Sequence, residues 1–283
     1  MIPRDSWPVY DPDGVGGNDP FADISFGVTI TSSAVDSSRF FVLKEKQAPV
    51  LVLAHRGDSI SAPENTMVSI DSLTAGTADP VEFDAQVTSD GVLVLMHDNT
   101  VDRTTDETGT VASMDLATIQ ALDAGSWFSP AFAGEQVPTM AAAITAAITN
   151  GIEPLIERKT GDAAVYHAEF VAQALSPNDF RVVSFDAAFL DALDTLNPAY
   201  RLGLAGSAPL TQAVIDQAKA DGVDFLAWKN NVIDQSVVDL VYANGLELMV
   251  WTVNDAGRMQ EMINLGVGSI YTDNPVLLRS LLP

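Results

Sequence analysis

From Ala48 to the C-terminus, short apolar runs alternate with segments of helical spacing, and this alternation limits the possible folds more than any other feature of the chain. The runs are Val50–Ala54, Val81–Ala85 together with Val92–Met96, Pro154–Ile156, Arg181–Phe185, Arg201–Leu204, Asp224–Trp228, Leu246–Val253 and Ser269–Tyr271. Between them, 139–149, 163–175, 187–196, 210–220, 235–243 and 256–265 carry apolar residues at helical period. Asp186, Asp234 and Asp255 stand where N-caps are wanted, and Gly151 and Gly245 where a helix ends in a left-handed residue. Strand–helix alternation implies a parallel sheet covered by helices. Eight strand groups over residues 48–283 suit a closed (β/α)8 barrel, which typically takes about 250 residues. The alternative, an open doubly wound sheet, would place a GxGxxG turn after its first strand, and none is present.

Two segments depart from the pattern. Residues 1–47 begin rich in Pro, Asp and Gly, with short strand-like runs at 24–31 and 40–43, and read as an N-terminal arm. The arm either packs on its own barrel or docks into a larger assembly. Residues 99–138 are too long for a loop between barrel elements, so a small folded insertion is expected there, after the second βα unit has begun. The barrel domain is therefore 48–283.

The formal charge of −24, from 38 acidic and 14 basic residues, repels nucleic acid and anionic lipid heads. No run approaches the roughly 20 apolar residues of a membrane span, and the N-terminus lacks the basic and apolar regions of a secretory signal. The expectation is a soluble protein. With no cysteine, disulfides and thiolate metal sites are excluded.

Residues able to do chemistry gather where the apolar runs end, as at the working face of a parallel barrel. Glu82 and Asp84 are two apart on a predicted strand, so both leave the same face. A solvated strand end is the alternative for such a pair alone. Glu157 ends the next barrel strand and would approach the same mouth, making three oxygen ligands suited to a hard divalent cation, Mg2+ or Ca2+. Of three histidines, His55 and His97 both follow apolar runs, at the first and second barrel positions, where one can act as base and the other as acid. His167 lies in a predicted helix and receives no role. Arg56 has the planar fork that suits a phosphate, Lys159 can share the face of Glu157, and Arg158 between them should point away. Glu64 is either a further metal ligand from the first loop or an acid at a helix start, with Thr66 as the alternative cap.

The motifs HRG (55–57), PENT (63–66), ExD (82–84), DG (90–91), HD (97–98), RTT (103–105), DxGxWF (123–128), GExxPT (134–139), ExK (157–159), VWTVN (250–254) and TDNP (272–275) occur in this order. This series resembles the glycerophosphodiester phosphodiesterases over residues 50–283. The resemblance implies a TIM-type barrel that uses a divalent metal to hydrolyse glycerophosphodiesters to glycerol phosphate and an alcohol. By matching position it implies His55 and His97 as the acid/base pair and Glu82, Asp84 and Glu157 as metal ligands, with Glu64 a frequent extra. It also implies Arg56 and Lys159 as phosphate contacts and Trp251 as an aromatic beside the glycerol, where barrel packing is the other reading. The nucleophile is left open between water and the substrate's own glycerol hydroxyl. Two settings fit: a cytoplasmic enzyme acting on lipid-derived diesters, or a virion or other particle component, docked through residues 1–47, that cleaves or binds glycerol-phosphate polymers such as teichoic acid.

Overall fold

Each barrel strand must face the interior on one side and helices on the other, which is why the strand sequences are apolar on both faces. The computed structural model describes residues 49–282; the expected N-terminal arm, with its short strands and its docking role, lies outside the described residues. In chain order the elements are β1 (Leu51–His55), α1 (Met67–Asp71), β2 (Pro80–Val87), β3 (Leu93–Leu95), α2 (Leu116–Gln120), α3 (Met140–Thr149), β4 (Glu153–Arg158), α4 (Ala163–Ala172), β5 (Arg181–Ser184) and α5 (Ala187–Leu196). They continue as β6 (Leu202–Gly206), α6 (Gln212–Ala220), β7 (Phe225–Lys229), α7 (Gln235–Ala243), β8 (Glu247–Trp251), α8 (Ala256–Leu265), β9 (Ser269–Thr272) and α9 (Pro275–Leu281). Asp186, Asp234 and Asp255 accept hydrogen bonds from the first backbone amides of α5, α7 and α8, as expected of N-caps.

Eight strands run parallel in the order β1-β9-β8-β7-β6-β5-β4-β2, and β2 meets β1 again to close the ring. This is the expected (β/α)8 barrel. At the closure Ala54 pairs with Val81 and His55 with Glu82. On the other side β1 pairs with β9 from Leu51↔Ser269 to Ala54↔Thr272. The main core lies between strands and helices and includes Phe83, Ile144, Phe170, Leu190, Val241 and Met262. A smaller one fills the barrel with Leu53, Leu155, Val183, Ala205, Phe225, Ala227, Met249 and Tyr271.

β3 is not a barrel strand. It pairs antiparallel with β2, with Ala85 opposite Leu95 and Val87 opposite Leu93. With eight residues β2 outruns its neighbours, and the excess needs an edge partner. The turn that supplies it holds Gly91 at φ 85°, a conformation L side chains avoid. His97 therefore enters the mouth from a returning hairpin, not from a second barrel strand as the sequence suggests. Residues 99–138 follow, and Val101, Val111, Ile119, Leu122, Ala124 and Val137 pack on Val94 and Met96 of the hairpin to form a third core.

The opposite end of the barrel is closed by charge. Arg181, Glu153 and Glu247 each begin a strand. Arg181 reaches Glu153 at 3.1 Å and Glu247 at 2.8 Å, lies over the Phe225 ring at 5.8 Å, and Glu153 also pairs with Arg201. Removing one partner from such a buried set leaves uncompensated charge, at a cost of about 3–5 kcal/mol. Glu153 keeps Arg201 and Glu247 is partly exposed, so Arg181→Ala is expected to lower stability by about 3 kcal/mol in urea unfolding. A loss below about 1 kcal/mol would show that the floor behaves as a solvated surface.

Candidate active site

The carboxylates of Glu82, Asp84 and Glu157 converge at the C-terminal mouth. Asp84 and Glu157 are register partners on β2 and β4, and one oxygen from each of the three residues lies within 4.8 Å of the others. Glu82 and Asp84 are buried, at 0% and 1% exposed. Burial, then the charges of Asp84 and Glu157, push the Glu82 carboxyl well above its ordinary range. Burial, then Asp84, raises Glu157 as well, against the opposing Lys159 ammonium. Burial works against the charge on Asp84 too, but Arg56 and Lys159 outweigh it and hold that carboxyl below its usual value. Glu82 Oε2 accepts the Arg56 backbone amide at 3.0 Å, while its Oε1 is buried with no hydrogen-bond partner among the described residues. Three carboxylates at this spacing, one of them carrying an unpartnered oxygen, fit a hard cation.

The first loop is shaped to support them. Arg56 and Asn65 adopt left-handed backbone conformations, φ 59° and 56°, which costs an arginine about 1–2 kcal/mol and an asparagine less. In that conformation Arg56 aims its amide at Glu82. Its Nε forms an ion pair with Asp84 at 3.2 Å, outside hydrogen-bonding alignment. Gly57 follows at φ 86°, and a Cβ there would lie 2.3 Å from Ser69 Oγ, so no larger residue fits. Thr66 is the cap of α1, reciprocated by Ser69. Asn65 is thereby free to clamp Asp84, donating from Nδ2 to Oδ2 at 2.8 Å and accepting its backbone amide at 3.1 Å. Glu64 is not part of the three-carboxylate group. Its oxygens are taken by Arg56 at 2.8 Å and by Arg103 at 2.8 Å, because the loop turns it toward two guanidinium groups. Lys159 Nζ lies 2.8 Å from Glu157 and 3.6 Å from Asp84. Arg158 points outward to Asp186 at 2.9 Å, as alternation requires.

Both histidines are held by an aspartate. His55 Nδ1 is 2.6 Å from Asp273 Oδ1, and His97 Nδ1 is 2.6 Å from Asp98 Oδ1. An ionised carboxylate can only accept, so Nδ1 carries the hydrogen in each ring and Nε2 is the nitrogen left for chemistry. Burial disfavours charge on Asp273, but contacts from His55, Asn254 and Ser59 overcome it and keep the carboxyl below its ordinary value. Asn254 Nδ2 donates to Asp273 Oδ2 at 2.6 Å.

His55, Arg56, His97, Glu157 and Trp251 line one cleft of about 130 Å3, together with Phe185 and Tyr271. Trp251 is fixed by its Nε1, which donates to Ala227 O at 2.9 Å, and by an edge contact with Phe185 at 5.7 Å. Of the expected residues, the structure thus brings together His55, His97, Arg56, Glu82, Asp84, Glu157, Lys159 and Trp251, and sets Glu64 apart on its arginines. Asp273, Asn254 and Arg103 lie in the TDNP, VWTVN and RTT motifs but receive no role from the sequence, and Asn65 of PENT stays undecided there. A signal for Asp273 exists: it is an acid just past the last strand, and that strand must neighbour β1 in any closed barrel.

A parallel barrel with paired histidines and clustered carboxylates at its mouth has the equipment of a hydrolase. Residues 55–277 match the glycerophosphoryl diester phosphodiesterase family. A glycerophosphodiester phosphodiesterase of Caldanaerobacter subterraneus is 34% identical over 82% of this chain and 97% of its own length, and one of Bacillus subtilis is 30% identical over 91% and 93%. A phosphodiesterase from Oleispira antarctica, solved with the product sn-glycerol-3-phosphate, superposes with a TM-score of 0.77 at 27% identity, covering 82% of this chain and 96% of that one. The chain belongs to the glycerophosphoryl diester phosphodiesterase family and is a phosphoric diester hydrolase. Among the described residues no helix is long and apolar enough to cross a membrane.

Replacing Asp273 by Asn removes the charge that orients His55 and exchanges an acceptor for a donor at half of the amide. Phosphodiesterase turnover is expected to fall about 10–100-fold, with the melting temperature nearly unchanged. Unaltered turnover would mean that the His55–Asp273 contact plays no part in the reaction.

Proposed function

We propose that the chain hydrolyses glycerophosphodiesters to glycerol phosphate and an alcohol, with a divalent cation held by Glu82, Asp84 and Glu157. The observation that carries this reading is the meeting of two aspartate-held histidines at one cleft with Glu157, which belongs to a cluster of three crowded carboxylates. The product bound in the Oleispira antarctica relative supports the substrate class. Either Mg2+ or Ca2+ suits an all-oxygen set. When bound, the cation would polarise the phosphoryl group and stabilise the charge that develops on it.

The chain's own groups supply the rest. Arg56 carries a planar fork to the cleft, and Lys159 adds a point charge beside Glu157, so a phosphate can enter despite the −24 charge of the whole chain. His55 and His97 each present Nε2, one to accept a proton from the attacking oxygen and the other to give one to the leaving alkoxide. Because each Nδ1 is hydrogen-bonded to an aspartate, the ring that becomes cationic is stabilised as the proton arrives. Trp251 offers an apolar wall to the glycerol carbons, and its indole is anchored so that the wall does not collapse into the cleft. Glu64 contributes by holding Arg56.

Glycerol phosphate release from glycerophosphocholine tests this directly. Turnover is expected to require Mg2+ or Ca2+, to stop with chelator, and to fall at least about 100-fold in His55→Ala and His97→Ala. Chelator-resistant turnover would overturn the assignment of the carboxylates. Glu157→Gln separates activity from stability. It should abolish turnover, yet in chelator raise the melting temperature by about 2–4 °C, since one repelling charge leaves a buried cluster. A lower melting temperature in chelator would contradict the proposed repulsion.

A further inference from the structure

The insertion touches the chemistry through Arg103. Its Nε donates to Asp98 Oδ2 at 2.7 Å, and its Nη1 and Nη2 donate to the two oxygens of Glu64 at 2.8 Å each. The other oxygen of Asp98 holds His97, and Glu64 holds Arg56. The backbone on either side is fixed. Thr104 and Thr105 are buried, with Thr104 Oγ1 on Met96 Sδ at 3.2 Å and Thr105 Oγ1 on Val101 O at 2.9 Å. The Gln86 amide donates to the carbonyls of Met96 and Asp98 at 2.9 and 2.5 Å, which pins the residues that carry the histidine. One planar guanidinium thus joins two carboxylates, and each of those orients a different group of the cleft.

We propose that Arg103 is a positioning residue of the phosphodiesterase reaction, fixing the His97 ring through Asp98 and the Arg56 guanidinium through Glu64. The geometry requires a fork with three donors in one plane, which arginine has and lysine lacks. Asp98 is a third exposed, so without this anchor its carboxylate can turn to water and release the ring. Hydrogen bonds from Arg103 are the foremost reason that the Asp98 carboxyl is drawn down to about 2, so it remains an acceptor for His97 further into the acid range than a free aspartate would. The site is therefore incomplete with the barrel strands alone: a residue of the insertion spaces the proton-transferring imidazole from the phosphate-binding guanidinium.

This inference rests on the reading of His97 as a proton-transfer group, and the experiment keeps the two apart. Turnover of glycerophosphocholine at saturating Mg2+ is measured for the full chain and for Arg103→Ala, Arg103→Lys, Asp98→Asn, the double variant Arg103→Ala/Asp98→Asn, and His97→Ala, with melting temperatures for each. Arg103→Ala is expected to lower kcat about 10–100-fold and to raise KM as Arg56 loosens, with little change in melting. Arg103→Lys should recover only a minor part of the lost kcat. In the Asp98→Asn background the further loss in kcat from Arg103→Ala should shrink several-fold, the signature of two residues acting through one contact. Wild-type kinetics in Arg103→Ala, additive losses in the double variant, or full recovery with lysine would each overturn the proposal. Should Arg103→Ala fail to fold, Arg103→Lys and its combination with Asp98→Asn carry the same comparison. Turnover persisting in His97→Ala would instead overturn the reading of His97, whereas a dead His97→Ala beside an unaffected Arg103→Ala would sink the role of Arg103 alone.

Discussion

The mutual repulsion of Glu82, Asp84 and Glu157 is the constraint on which the rest of the mouth depends. Three carboxylates with oxygens within 4.8 Å of one another cannot all be ionised in a buried site without compensation. The surrounding residues are arranged as partial answers. Arg56 adopts a left-handed backbone to bring both an amide and a guanidinium to the cluster. Lys159 lies against Glu157, and Asn65, also left-handed, grips Asp84 from two sides. The answers stop short of complete, because Glu82 Oε1 stays without a partner among the described residues. On the proposed reading that residual demand is what a divalent cation meets.

The two ends of the barrel handle charge in opposite ways. At the floor, Arg181 lies between Glu153 and Glu247, Arg201 adds a second cation, and the donors and acceptors pair off. At the mouth, three acids face fewer cations and the backbone is strained. Local rules are satisfied where only stability is at stake and broken where a ligand must be received, which is where function is expected to reside. The mouth is also where distant parts of the chain meet. β1 brings His55, the residue after β9 brings Asp273, the returning hairpin brings His97, and the insertion brings Arg103.

Much of this was legible in the sequence. The barrel followed from alternation alone, because a parallel sheet needs a crossover between strands and each crossover leaves a helical period. The side-by-side placement of Glu82 and Asp84 followed from the two-residue period of a strand, and the outward turn of Arg158 from the same rule. The antiparallel course of β3 was not visible, since an apolar run of three to five residues carries no record of its direction. The position of Glu64 was undecided for a related reason: its partner, Arg103, lies 39 residues away, and no local period links them.

By itself, then, the sequence determined what is set by near neighbours: the number of strands, the capped helix starts, the face each strand residue takes, and the residue types fit for metal, phosphate and proton transfer. Only the tertiary structure decided how those residues are used. Ring closure sets β9 beside β1 and so sets Asp273 against His55. The excess length of β2 draws β3 back and turns His97 into the cleft from outside the ring. The insertion folds over that hairpin on its own small core and delivers Arg103 to Asp98 and Glu64. These contacts depend on which strands become neighbours, a property of the closed sheet that no local stretch of the chain encodes.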